Sequence, residues 1–200
     1  MKSLSICLLL AAFFWGGALL SDRRSLDKRL IRLHVVANSD SRADQSIKLQ
    51  VRDAVISGIQ SDLAKVADME QAKAYLQESL PKIQRIANGV LERAGVQPDA
   101  VVTLCREAFD RRVYDTFSLP AGVYEALRIT IGEGRGHNWW CVAFPTLCLP
   151  ATTQGFRDAA VEAGFSETMT KTLTGEDYQL RFYLLDALGK LENRIFEHTP

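Results

Sequence analysis

The chain has 200 residues, of which 47% are hydrophobic and 24% are charged, as in globular rather than disordered proteins. Its 24 basic and 24 acidic residues cancel, so no excess of positive charge marks it as a nucleic-acid-binding protein. Apart from a short leader, this length is enough for one domain with a substantial hydrophobic core.

The leader is apolar. Lys2 is followed by a nearly unbroken apolar run from Leu4 to Leu20, which is the pattern of a secretory signal or an uncleaved N-terminal anchor. Small residues before Leu19 permit cleavage, although they form no clean A-x-A sequence. We predict an exported chain and assign residues 1–21 to this signal or anchor, with its cleavage left open.

A strand and a helix are predicted directly after the leader. Leu30 to Ala37 is rich in branched apolar side chains and predicts a strand. Asn38 to Ser41 supplies turn and capping groups, and Ser41 with Asp44 predicts the capping box of a helix. Four apolar residues spaced four apart form the predicted buried stripe of this helix: Ile47, Val51, Val55 and Ile59.

The middle of the chain predicts a second helical region and three strands. Pro81 falls inside the helical region 68–93, and because proline disrupts a helix interior it predicts two helices or a sharp kink. Strands are predicted over Ala100–Phe109, Tyr124–Ile131 and Trp139–Phe144. The last two flank a glycine-rich turn, which predicts a β-hairpin.

The C-terminal part is less patterned. Tyr178–Leu185 reads as a strand or a helix start, and Leu185–Phe196 completes an amphipathic helix. We predict an α+β fold, an antiparallel sheet with two or three amphipathic helices packed on it, preceded by the N-terminal signal or anchor segment. Its core is assigned to residues 28–150 and a C-terminal extension to 151–200.

The glycine-rich turn and the residues after it form the most unusual stretch. Gly132–Gly136 reads G-x-G-x-G, which is not the dinucleotide-binding motif and favours a structural or partner-presenting turn. Trp139 and Trp140 point to opposite faces of an extended segment, so one enters the core and the other covers a surface or groove. An exposed Trp beside His137 and Asn138 would be a binding hot spot, with two packed aromatic residues as the alternative.

Catalytic and metal-binding chemistry has weak support. His137 and Cys141 could act as base and nucleophile, but spacing identifies no orienting Asn or Asp. With Cys148 they would still lack a fourth zinc ligand. Glu125 and Glu133 read as solvated charges or ion-pair partners. We predict no catalytic residue, no metal and no cofactor; an exported hydrolase or thiol enzyme using these residues is the alternative.

The cysteines beyond the leader leave a disulfide open. Export permits disulfides, and Cys141 and Cys148 enclose only six residues, which makes them the candidate pair and leaves Cys105 as the odd thiol. Three buried, apolar cysteines are the alternative.

Two stretches carry a family resemblance. One is RLHVVANSDSRADQSIKLQVRDAV, from Arg32 to Val55, and the other is PAGVYEALRITIGEGRGHNWWCVAFPTLC, from Pro120 to Cys148. Because both occur together and in order, the chain resembles the stage II sporulation protein R family of endospore-forming bacteria. It departs from the family pattern at His34, in a strand often lacking histidine, at Arg42, where Pro often starts the helix, and at the additional Cys105.

The resemblance implies an exported signal rather than an enzyme. Family members are made in the forespore and exported into the space between the two sporulation membranes. There they are thought to activate a membrane-embedded aspartic protease of the mother cell, which removes the pro-sequence of sigma factor E. We therefore expect that protease as the partner, no nucleic acid, and membrane contact only through the leader or the partner.

We hypothesise that the Asn38–Asp40 turn and the Gly132–Trp140 loop lie near each other and form the receptor-contacting face. A wall- or glycan-binding module that uses the Trp pair is a further alternative. The candidate partner-binding residues are Asn38, Ser39, Asp40, Arg128, Glu133, His137, Asn138, Trp139 and Trp140.

Overall fold

The computed structural model describes residues 2–145, 153–175 and 179–198 and confirms the α+β class. Its helices are α1 (Lys2–Asp27), α2 (Arg42–Leu63), α3 (Met69–Arg93), α4 (Thr153–Glu162), α5 (Glu167–Thr174) and α6 (Gln179–Glu197). Its strands are β1 (Ile31–Val36), β2 (Val101–Phe109), β3 (Arg112–Val113), β4 (Ser118–Leu119), β5 (Gly122–Thr130) and β6 (Asn138–Phe144).

The chain divides into two compact units. The first contains residues 1–28, 108–123 and 165–200, and the second contains residues 29–107 and 124–164. The segments after Pro150 are thus shared between the units, α4 belonging to the second and α5 and α6 to the first.

β1 is an inner strand of the four-stranded sheet, whose order is β2-β5-β1-β6. It pairs in parallel with β5 and antiparallel with β6, so the sheet is mixed rather than purely antiparallel. The hairpin predicted for Tyr124–Ile131 and Trp139–Phe144 is therefore wrong, because β1 lies between these two strands. Alternation along a strand determines which side chains face the core, whereas it does not determine which strands pair.

α2 forms as its sequence predicts. The Ser41 hydroxyl accepts a hydrogen bond from the Asp44 backbone N–H at 3.1 Å, which is the N-cap half of the predicted capping box. The other half is wrong, because the Ser41 N–H donates to the Ser39 hydroxyl at 3.2 Å. The predicted apolar stripe of α2 is buried. It belongs to one hydrophobic cluster with residues of β1, β5, β6 and α3, and this cluster is the core of the second unit.

α3 runs unbroken from Met69 to Arg93 with Pro81 inside it, so the prediction of two separate helices is wrong, and its alternative, a sharp kink, stays a prediction. Pro81 lies on the exposed side of the helix, while Leu76 and Ile83 on either side of it are completely buried. Burying one such side chain contributes about 1.5–3 kcal/mol, and two of them offset the roughly 3 kcal/mol that an interior proline costs. Tertiary packing therefore overrides the local preference.

In the first unit, α6 packs closely on the turn that precedes β5. The Ala121 N–H donates to Asp186 Oδ1 at 2.9 Å, and Asn193 Nδ2 donates to the Phe109 carbonyl at 2.9 Å. A β-carbon on Gly189 would lie 1.6 Å from the Ala121 carbonyl oxygen, so only glycine permits this approach. The segment Tyr178–Leu185 was predicted as a strand or a helix start, and the structure shows it as helix from residue 179.

The leader is helical within α1. Among the residues that the structure describes, no helix has both the length and the hydrophobicity needed to cross a bilayer.

The position of Pro81 generates a stability prediction. Pro81→Ala restores a backbone N–H to the interior of α3 and should raise the free energy of unfolding by about 1–3 kcal/mol, measured by urea denaturation. The control Gln77→Ala, at another exposed position of α3, should change it much less. Equal effects of the two substitutions would contradict a cost specific to the proline.

Candidate partner-binding site

The site lies where three strands end together. Because β5 runs parallel to β1 and β6 runs antiparallel to it, the end of β5, the end of β1 and the start of β6 share one edge of the sheet. The connection 131–137 between β5 and β6 therefore crosses the end of β1, directly beside the turn 38–40. We call these two segments together the clasp. Their proximity is as predicted.

Backbone hydrogen bonds join the two segments of the clasp. The Gly136 N–H donates to the Ala37 carbonyl at 2.9 Å, and the Arg135 N–H donates to the Asn38 carbonyl at 3.1 Å. The loop is thus attached to the chain that leaves β1 by the same type of bond that joins the strands.

Side chains of the turn bind the loop backbone as well. Asn38 Oδ1 accepts from the Glu133 N–H at 3.0 Å. Asp40 Oδ1 accepts from both the backbone N–H and the ring Nδ1 of His137, each at 2.5 Å. These bonds, the backbone bond first, lower the pKa of Asp40, since they favour the ionised carboxylate.

Asp44, in the first turn of α2, holds the turn from the other side. Its Oδ2 accepts from the Ser39 hydroxyl at 2.5 Å and from Asn38 Nδ2 at 3.0 Å. These two bonds, that of Ser39 first, lower the pKa of Asp44. Asp44 therefore fixes the orientation in which the Asn38 amide offers its oxygen to the loop.

Lys48 and Gln45 support the clasp from the next turn of α2. Lys48 is buried, and its Nζ donates to the His137 carbonyl at 3.0 Å and to Gln45 Oε1 at 2.5 Å. Gln45 Nε2 donates to the Ser39 carbonyl at 2.9 Å. Burial, and then the neighbouring Arg52 charge, lowers the pKa of Lys48. The ammonium group thus stabilises the loop by a hydrogen bond to its backbone and does not face the solvent.

The glycines of the loop are required by this close approach. Gly132 has a φ of +55°, and a β-carbon there would lie 2.4 Å from Asn38 Oδ1. A β-carbon on Gly136 would lie 2.2 Å from the Ser39 carbonyl oxygen. Glycine at these two positions therefore allows the loop to approach the turn closely.

The clasp exposes charged side chains on a fixed backbone. The side chains of Glu133, Arg135 and His137 are 64%, 74% and 80% exposed. Glu133 and Arg135 form an ion pair with each other, as the sequence indicated for Glu133. These three side chains are therefore available to a partner.

The two tryptophans point to opposite faces of the sheet, as predicted. Trp139 packs against the core cluster on the α2 side, with the Arg52 guanidinium 4.3 Å from its ring centre. Trp140, on the other face, stacks on His34 with ring centroids 5.5 Å apart. Both are half-buried, so the stretch presents no fully exposed Trp.

Arg128 and Trp140 lie away from the clasp. His34 is aligned with Arg128 on one side and Trp140 on the other. Glu107 binds this row, with one oxygen 2.9 Å from His34 Nδ1 and the other 3.1 Å from Arg128 Nη1. Glu125 pairs instead with Lys73, at 2.7 Å. The predicted partner-binding residues thus lie in three places, and their role in binding stays a prediction. Asn38, Ser39, Asp40, Glu133 and His137 belong to the clasp, Asn138 and Trp139 start β6, and Arg128 and Trp140 belong to a partly buried polar row on the sheet.

Neither Cys105 nor Cys141 is arranged for thiol catalysis with His137. Cys141 is buried in the core cluster and follows His137 by four residues, roughly 13 Å along an extended strand. Burial, with the Glu107 charge adding to it, raises the pKa of the Cys105 thiol, which disfavours the reactive thiolate. Cys148 lies outside the described residues, so the Cys141–Cys148 disulfide stays a prediction.

Sequence reasoning missed the residues that hold the clasp from α2. Gln45 and Lys48 bind it, and Arg52 covers Trp139. Lys48 and Arg52 lie on one face of the helix with Asp44, four residues apart. This spacing was visible, but the sequence does not show that the face meets the loop.

Comparison with known protein families identifies the family of this chain. The model of the family described as Stage II sporulation protein R (spore_II_R) matches residues 27–154. The chain belongs to the stage II sporulation protein R family. The matched region contains the whole clasp, α2, α3 and the four strands of the sheet.

A curated relative adds detail. Stage II sporulation protein R of Bacillus subtilis (strain 168) is 41% identical to this chain over 118 residues, which is 59% of this chain and 53% of the relative. The chain thus matches about half the length of that stage II sporulation protein R. No solved structure matches.

The lowered pKa of Asp44 generates a prediction on pH dependence. The hydrogen bonds from Ser39 and Asn38 hold the pKa of Asp44 below its ordinary value, so its carboxylate contributes stability at neutral pH that is lost as the pH falls through the acid range. Lowering the pH from 6 to 3 should therefore reduce the urea midpoint of Asp44→Asn less than it reduces that of the native chain. The exposed-carboxylate control Glu78→Gln should show the native loss, and equal losses for all three proteins would contradict the prediction.

The close approach at Gly136 generates a second prediction. Gly136→Ala places a methyl group against the Ser39 carbonyl, so the loop must move off the turn. We expect amide hydrogen exchange at Arg135 to accelerate at least tenfold, with the far-ultraviolet circular dichroism unchanged. Gly89→Ala, in α3 with only ordinary contacts, is the control. Unchanged protection of Arg135 in Gly136→Ala would show that the approach does not hold the loop.

Proposed function

We propose that this protein is an exported signalling protein of endospore formation that acts by binding its partner through the clasp. It is made in the forespore and delivered to the space between the two sporulation membranes. Its partner there is a membrane-embedded aspartic protease of the mother cell, which it activates to process the pro-form of sigma factor E. Membership of the stage II sporulation protein R family and the apolar leader support this proposal.

The observation that carries the proposal is the construction of the clasp. Its backbone is held by bonds from the Asn38 and Asp40 side chains and by Lys48 beneath it, while Glu133, Arg135 and His137 project into solvent. A surface fixed before binding loses little conformational entropy when a partner docks. Exposed charges of both signs suit a partner that carries complementary charges of both signs. Such complementarity orients the partner and makes its binding specific.

A second candidate function has one observation in its favour. The Asp40 carboxylate bound to His137 Nδ1 resembles the orienting acid of an acid–base pair, and the imidazole is exposed. An exported hydrolase would use His137 Nε2 for proton transfer. Cys141 does not serve as its nucleophile, since it is buried in the core. The Glu133 carboxylate is already paired with Arg135.

Reconstitution tests the proposal. The chain is co-expressed with the candidate protease and its pro-sigma substrate in a host that lacks both. The double variant Glu133→Ala, Arg135→Ala should reduce substrate cleavage roughly tenfold or more, which corresponds to the loss of two interfacial contacts of moderate strength. Lys65→Ala, a charge that is 76% exposed at the end of α2, should retain full activation.

His137→Asn distinguishes binding from catalysis. The Asn amide can still donate to Asp40 but cannot titrate, so a signal that acts by binding should keep at least about half of its activation. A folded, exported His137→Asn chain without any activation would favour acid–base chemistry. Equal activation by the double variant and the native chain would contradict the clasp as the binding surface.

A further inference from the structure

We propose that the leader is cut after Ala18 by a membrane-bound signal peptidase, and that Leu19–Asp27 remains as a permanent part of the first unit. Hydrolysis of the Ala18–Leu19 bond consumes one water and leaves a carboxylate on the leader and a new amino group on Leu19. The inference rests on the export that is part of the proposed function.

Leu19 is the first buried side chain among those that the structure describes in α1. Phe13 and Phe14 are 77% and 72% exposed, whereas Leu19 is 7% and Leu26 is 0% exposed. Large apolar side chains exposed in this way contribute nothing to the folded unit and are costly in water. Among the described side chains before Leu19 none is buried, whereas Leu19, Arg23 and Leu26 are buried, with the half-exposed Leu20 between them.

Arg23 ties the retained segment to the first unit. It is only 6% exposed. Its Nη2 lies 2.7 Å from Glu192 Oε2 on α6, and its Nη1 lies 2.8 Å from Asp27 Oδ1. One turn of α1 thus holds a buried cation whose two carboxylates come from two helices. Removing Arg23 with the leader would leave Glu192 without this partner.

The first unit contains a space shaped for the Arg23 side chain. Gly122 has a φ of +151°, and a β-carbon there would lie 1.7 Å from Arg23 Nη2. The residue next to Arg23 is also bound, since Asp22 Oδ2 accepts from Arg181 Nε at 2.9 Å. The Arg23 guanidinium thus lies directly against Gly122, where the positive φ by itself already favours glycine.

The sequence places a cleavage signal at the same boundary. Lys2 and the apolar run are followed by Gly16, Gly17 and Ala18, with small residues one and three positions before the bond, as signal peptidases require. Two glycines also weaken the helix there by roughly 1 kcal/mol each, which eases the extended conformation that a protease needs. The cleavage signal and the burial boundary are independent, and both fall between Ala18 and Leu19.

The N-terminus of the exported protein tests the inference. The full chain, with its own leader, is expressed in a Gram-positive host, and the extracellular fraction is analysed by intact mass and N-terminal sequencing. We expect Leu19 as the first residue. Ala18→Phe should block cleavage, while the matched Ala18→Ser should be cut normally. An exported chain that is uncut, or that starts at Asp22 or later, overturns this inference alone; full-length chain confined to the cytoplasm overturns the proposed export as well.

Thermal unfolding of the exported protein tests the structural half. Arg23→Ala should lower the melting temperature by roughly 5–10 °C because it leaves carboxylates without their partner. The adjacent, exposed Arg24→Ala should leave it within about 1 °C. Equal melting temperatures for Arg23→Ala and Arg24→Ala would show that Leu19–Asp27 is not part of the folded unit.

Discussion

The pairing of β1 on both of its edges determines the rest of the second unit. With β5 parallel on one side and β6 antiparallel on the other, the connection between β5 and β6 can only cross the end of β1. The residues that leave β1 therefore meet that connection, and α2, which starts immediately afterwards, lies beside both. The clasp is a consequence of topology first and of side-chain chemistry second.

The chemistry then fixes what the topology brings together. Asp44 and Asp40 act as acceptors at the two sides of the turn, and buried Lys48 donates from below. Each of these groups binds main-chain atoms or the residues that bind them, so the charges serve mainly to order backbone. The exposed side chains are those of the loop itself. The residues that build the surface are therefore different from the residues that a partner can contact.

Local features of this fold could be predicted from the sequence, and nonlocal ones could not. Ser41 and Asp44 are three residues apart, so the cap of α2 was visible, and the period of two predicted the opposite directions of Trp139 and Trp140. Pro81 was misleading, because burial of Leu76 and Ile83 outweighs its local cost. The placement of β1 between β5 and β6 has no local signal, and for that reason the hairpin was wrong and the role of Lys48 was missed.

The paired strands β1 and β6 lie far apart along the chain, and this determines when during synthesis the sheet can form. Arg32 on β1 donates to the Cys141 carbonyl on β6, 109 positions further along the chain. Contacts between such distant residues form slowly, because a long loop must close before any of them is gained. A chain emerging from the ribosome therefore has no complete sheet until β6 has been synthesised, while α2 and α3 can associate earlier. The clasp therefore cannot form before residues 131–137 and the start of β6 have been synthesised.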